Sequence, residues 1–138
     1  MKKTRLMFLV VLSLFVLMLV PTHAIDARAS YQIAHYTIDI TPDSGAIDVE
    51  FSVTGIGNVT KIGCESVKLY VSNGSSWRLV RSLDEDDEGM SVENSGFHAN
   101  LVSVDTVAGI DYKIIATVFA ENDAGRDTRS ETAYYTGR

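Results

Sequence analysis

Past position 30 the chain alternates. Over residues 46–54, Ile47, Val49, Phe51 and Val53 are apolar while Asp48, Glu50, Ser52 and Thr54 are polar. Successive side chains of a strand point to opposite faces, so this segment predicts a strand with one buried and one wet face. Tyr36, Ile38 and Ile40 share a face just upstream, and Pro42-Asp43-Ser44-Gly45 predicts the turn between the two. Gly55-Ile56-Gly57-Asn58 reads as a loop. Val67, Leu69 and Val71 then alternate with Ser66, Lys68 and Tyr70, and Asn73-Gly74 predicts a hairpin that returns through residues 77–83. Five adjacent acidic residues, 84–88, cannot pack together and predict an exposed loop. Residues 97–104, 110–121 and 128–136 complete the set. No 3.6-residue apolar period persists for three turns. Seven strands on about 100 residues predict an all-β, antiparallel two-sheet sandwich.

The segment 110–121 departs from simple alternation. Tyr112, Ile114, Ala116, Val118 and Ala120 point one way, and Ile115, Thr117 and Phe119 the other. Apolar residues on both faces predict a central strand with a neighbour on each side. Its entry, Thr106-Val107-Ala108-Gly109-Ile110-Asp111-Tyr112, resembles the tyrosine corner of fibronectin type III and related immunoglobulin-like domains. Gly109 and Tyr112 match that pattern; Ala108 stands in place of its Pro and Thr106 in place of its Leu. The resemblance implies that the Tyr112 hydroxyl bonds back to the backbone just upstream. It also implies a tight turn into the last strand at residues 120–125, with Gly125 at positive φ. Phe51 takes an inward position where the family carries a core Trp. The whole chain is similar to small, signal-bearing, single-domain proteins of anaerobic Gram-positive bacteria that form an uncharacterised family.

Ahead of this domain the composition changes. Lys2, Lys3 and Arg5 precede an apolar run, residues 6–20, broken only by Ser13 and ended by Pro21. Thr22-His23-Ala24 and Ala27-Arg28-Ala29 both fit the small-x-small rule. A signal peptide over 1–29 is expected, cleaved after Ala29 or after Ala24, leaving one exported domain, 30–138. The apolar run is shorter than the roughly 17–25 residues of a spanning helix, so no stable membrane span is expected after cleavage. The leader removes four of the 12 basic residues and one of the 18 acidic ones, leaving a net charge of −9. That charge disfavours nucleic acid and anionic membranes as partners. The single cysteine, Cys64, excludes an internal disulfide and, with the Met-Lys-Lys start, points to a bacterial exporter. Cys64 reads as a small buried hydrophobe, the alternative being an intermolecular disulfide.

Candidate chemistry is sparse. His35, His98 and Cys64 lie on separate segments, no Gly-x-Ser-x-Gly elbow occurs, and no enzyme is expected. Asp84, Asp86 and Glu88 alternate ahead of Gly89, the only arrangement suggestive of calcium; a solvated loop is the plainer reading, and no cofactor is expected. The remaining candidates are aromatic. Tyr70 points away from Val67 and Leu69, and one of Tyr134 and Tyr135 must face out. Trp77 follows the hairpin, where a core position is favoured over a surface one. Exposed Tyr and Trp anchor binding surfaces. The expectation is therefore a secreted, non-enzymatic module that binds an extracellular protein at or near the cell surface. The alternatives are a carbohydrate-binding module using these aromatics and a small secreted inhibitor or effector.

Overall fold

The computed structural model describes residues 32–138; the expected signal peptide and its expected cleavage positions lie outside the described residues. Eight antiparallel strands follow in order: β1 (Ile33–Asp43), β2 (Ala46–Gly55), β3 (Lys61–Ser72), β4 (Trp77–Asp84), β5 (Ser91–Glu93), β6 (Phe97–Asp105), β7 (Asp111–Asn122) and β8 (Gly125–Thr136). The smaller sheet has the order β1-β2-β6. The larger has the order β4-β3-β7-β8, with β5 on the same edge of β3 as β4. The sheets face each other across one core. The alternating residues Ile47, Val49, Phe51 and Val53 of β2 meet Val67 and Leu69 of β3 and Ile114, Ala116 and Val118 of β7, all buried. Among the described residues no helix occurs.

Eight strands form where seven were expected. The extra one, β5, arises because β3 starts at Lys61 rather than at Ser66. Two features hid this from the pattern. A bulge between Cys64 and Ser66 breaks the alternation, and Gly63 carries no side chain to register a face. Gly63 is required by close approach, since a Cβ there would overlap the Met90 carbonyl oxygen. The N–H of Cys64 donates to that same carbonyl at 2.7 Å, which moors the end of the 84–90 loop to β3. The last strand likewise starts at Gly125, ahead of Thr128, through a tight β7–β8 hairpin in which Ala124 N–H donates to Asn122 Oδ1 at 2.9 Å. Gly125 has φ +141°.

β7 lies between β3 and β8, and its two apolar faces have different covers. Tyr112, Ile114, Ala116, Val118 and Ala120 fill the core. On the outer face the described residues form no second layer, yet Phe119 is fully buried, with the Arg126 guanidinium 4.1 Å from its ring centroid. At the entry to β7, Val107 N–H donates to the Tyr112 hydroxyl at 2.9 Å, and Gly109 turns the chain at φ +79°. Cys64 is fully buried, its thiol pushed up to about 11 by burial and bonded to the Thr117 carbonyl at 3.2 Å. It has no access to a partner chain, which removes the intermolecular-disulfide alternative.

Candidate functional site

The outer face of the larger sheet carries a cross-strand row. Leu79, Tyr70, Lys113 and Tyr134 lie in register on β4, β3, β7 and β8, and Trp77 pairs with Ser72 one step further along. Trp77 and Tyr134 sit on opposite edge strands with β3 and β7 between them. Three strand spacings place their backbones about 14 Å apart. Their ring centroids nevertheless lie 5.6 Å apart, with an interplanar angle of 57°. Both rings therefore lean inward over the central strands, where Ser72 is small enough to leave room. The Lys113 ammonium sits 4.5 Å from the Tyr70 ring centroid and 5.5 Å from that of Trp77. Among the described residues it forms no ion pair. A cation held only by ring quadrupoles keeps its hydrogen-bond donors for something else.

Beside the rings is a hollow of about 290 Å³ lined by Ser72, Trp77, Asp111, Tyr134 and Thr136, among others. Asp111 and Lys113 alternate on β7, so both face outward around buried Tyr112. Thr136 Oγ1 donates to the Asp111 carboxylate at 2.7 Å, which leaves the second carboxylate oxygen able to accept. The site thus offers two aromatic faces, a carboxylate acceptor, an ammonium donor and two hydroxyls.

Of the aromatic candidates, the fold brings Tyr70, Trp77 and Tyr134 together on the outer face, while Tyr135 borders the same hollow from the inward-facing side of β8. Tyr135 turns inward and its hydroxyl donates to the Ile40 carbonyl at 2.5 Å, closing the β1 side of the sandwich. Trp77 is not a core residue, contrary to the favoured expectation. It is 37% exposed on an edge strand of which, among the described residues, only Leu83 packs against the core. Asp111 and Lys113 were missed. The alternation of β7 placed both on its outer face, but nothing in the linear order showed that Trp77 and Tyr134 would flank them.

The acidic loop is organised by its own chain and by cations. Asp84 accepts from the Asp86 N–H at 3.0 Å, Asp86 lies 3.2 Å from Lys61 Nζ, and Glu88 is exposed. Among the described residues no three His, Cys, Asp or Glu side chains are grouped to hold a metal. His98 instead pairs its Nε2 with the Gly89 carbonyl at 2.8 Å and packs on Phe51. The residue that anchors the loop is Glu85, which pairs with Lys61 at 2.9 Å and Arg126 at 2.6 Å. Arg126 also pairs with Glu121 at 2.6 Å and Glu65 at 3.1 Å. The hydrogen bond from Arg126, reinforced by Lys61, holds the Glu85 carboxyl down to about 2. Glu85 in turn raises the pKa values of Arg126 and Lys61 through the same hydrogen bonds.

No family model matches the chain, and no curated protein matches it. Among solved structures it is similar to the sporulation control protein Spo0M of Bacillus subtilis, at 10% identity and a TM-score of 0.43 over 74% of this chain. The chain spans about half (49%) of the length of that protein. It is also similar to a hypothetical protein of Pyrococcus horikoshii, at 15% identity and a TM-score of 0.39, covering 76% of this chain and 93% of that one. A superoxide reductase in its oxidised state matches at 14% identity and a TM-score of 0.40, covering 76% and 91%. These neighbours are small all-β proteins.

Proposed function

We propose that this chain is an exported, non-enzymatic carbohydrate-binding module whose ligand face is the Trp77 end of the larger sheet. The observation that carries the reading is the meeting of Trp77 and Tyr134, from opposite edge strands, above Asp111 and Lys113. A sugar ring has an apolar C–H face and a rim of hydroxyls. The aromatic faces suit the first, burying apolar area with little entropy to lose. The rim is suited by Asp111, which accepts from hydroxyls, and by Lys113, which donates to them; bonds to charged groups are the stronger kind. Few convergent polar groups on an apolar floor is the usual composition of a small-molecule site. The strand order, with β1-β2-β6 facing β4-β3-β7-β8, and the Tyr112 corner support assigning the domain to the immunoglobulin-like sandwiches of fibronectin type III order.

The test is retention of the exported protein on producer cell walls, insoluble polysaccharides and mucin, with Trp77→Ala and Asp111→Asn alongside. Saturable retention on one glycan, lost in both variants while their melting curves hold, is the expected result. Absence of retention on every glycan, with capture of a protein by the same face, would replace the carbohydrate with a protein partner.

A further inference from the structure

The groups around the hollow beside Trp77 and Tyr134 say which ligand chemistry it suits. Asp111 is the one charged residue among its lining; no lysine or arginine borders it. Among the described residues Asp111 forms no ion pair, Lys113 included. Thr136 Oγ1 spends its single proton on the Asp111 carboxylate at 2.7 Å and keeps its lone pairs. The second carboxylate oxygen remains able to accept. Tyr112 and Tyr135 also border the hollow, and their hydroxyls are engaged with backbone groups. Tyr112 accepts from Val107 N–H and Tyr135 donates to the Ile40 carbonyl, so what they add is ring surface. The hollow therefore combines aromatic rings, oxygen acceptors and one uncompensated negative charge.

We infer that this hollow takes a primary ammonium group, which under the carbohydrate reading is the unacylated amino group of an amino sugar. An ammonium carries three donors and no acceptor, and here it meets a carboxylate, a hydroxyl oxygen and ring faces. The same sheet shows that its rings hold such a group. The Lys113 ammonium lies 4.5 Å from the Tyr70 centroid and 5.5 Å from that of Trp77. Lys113 is not part of the hollow's lining, so the Asp111 side repeats the arrangement with no cation of the chain's own. The volume, about 290 Å³, lies at the small end of the roughly 300–1,000 Å³ of ligand pockets, which suits one ring with its amino group. The net charge of −6 also favours a cationic ligand over an anionic one.

Trp77 is the chain's single tryptophan, so its fluorescence reports on this site. The exported protein is titrated with glucosamine, N-acetylglucosamine, galacturonate and ethanolamine. Retention on an insoluble glucosamine polymer, against its N-acetylated form, makes the main comparison without fluorescence. Glucosamine should bind about three- to tenfold more tightly than N-acetylglucosamine, which keeps the ring and loses the charge. In Asp111→Asn, which retains an acceptor for Thr136, the two sugars should bind equally. Ethanolamine, an ammonium without a ring, should bind more weakly than glucosamine. N-acetylglucosamine or galacturonate binding as tightly as glucosamine overturns the inference and leaves the carbohydrate reading standing. A preference for glucosamine that survives in Asp111→Asn also overturns it. Ethanolamine binding as tightly as glucosamine supports the ammonium site and overturns the carbohydrate reading. No response to any of the four, in fluorescence or in retention, overturns both.

Discussion

The two ends of the larger sheet's outer face use the same strands and opposite logic. At one end Arg126 serves Glu85, Glu121 and Glu65, with Lys61 serving Glu85 and Asp86, so every cation has carboxylate partners inside the molecule. At the other end Lys113 rests on Tyr70 and Trp77 and has no carboxylate partner among the described residues. The first end spends its charge on structure: it covers Phe119 and holds the 84–90 loop on β3. The second retains exposed rings and unpaired polar atoms, which is the condition for binding something external. Charge alone would have ranked the ends the other way, because the ion-pair end holds more titratable groups and the larger pKa displacements. Strong mutual pairing marks a structural site here, and incomplete pairing marks the candidate ligand site.

Substitutions should separate the ends. The largest effect belongs to Gly63→Ala. Its methyl group displaces the Met90 carbonyl and with it β5 and the loop, so a loss of about 2–4 kcal/mol is expected in a denaturant titration. Arg126→Met comes next. It leaves three carboxylates without their common partner and uncovers less of Phe119 than alanine would, with an expected loss of about 1–3 kcal/mol and no change in glycan retention. Loss of retention in Arg126→Met with stability intact would reverse the assignment of the two ends.

Acid should act on the ion-pair end as well. The Glu85 carboxyl is held at about 2, below its ordinary 4.5, so its contribution to stability is complete above pH 4.5 and is lost as pH falls toward 2. The melting temperature should fall across that window, and fall less in Glu85→Gln. A Glu85→Gln protein with the same acid profile as the wild type would move the acid sensitivity to another carboxylate. The smallest stability effect belongs to Trp77→Ala. On a face where the ring touches only Tyr134 and Lys113 among the described partners, it should cost about 1 kcal/mol or less while removing glycan retention. A stability loss of several kcal/mol instead would mean that the ring supports the sheet rather than a ligand.

Much of the fold was legible because alternation is a local property. β2 and β7 were visible as strands from five or more residues each, and the two apolar faces of β7 already required neighbours on both sides. β5 was not visible, since three residues carry no period and the bulge at Glu65 and the side-chain-free Gly63 erased the register of the strand it pairs with. Trp77 was misread for a related reason. Alternation says which residues share a face, and it does not say whether that face is covered. The Tyr134–Tyr135 pair was half readable: one had to face out, and only the pairing of β8 with β7 decided that it was Tyr134.

The sequence by itself determined the all-β class, the turns at Gly45 and Gly109, the central place of β7 and the inward position of Phe51. Each follows from the steric limits of single residues or from a two-residue period, and neither needs distant partners. Tertiary structure alone decided that rings 57 positions apart, Trp77 and Tyr134, meet above Asp111 and Lys113, and that Arg126 rather than a second layer covers Phe119. Those contacts join strands that are not neighbours in the chain. Their energies depend on sheet order and register, which are set by the burial of the whole core rather than by any segment of it.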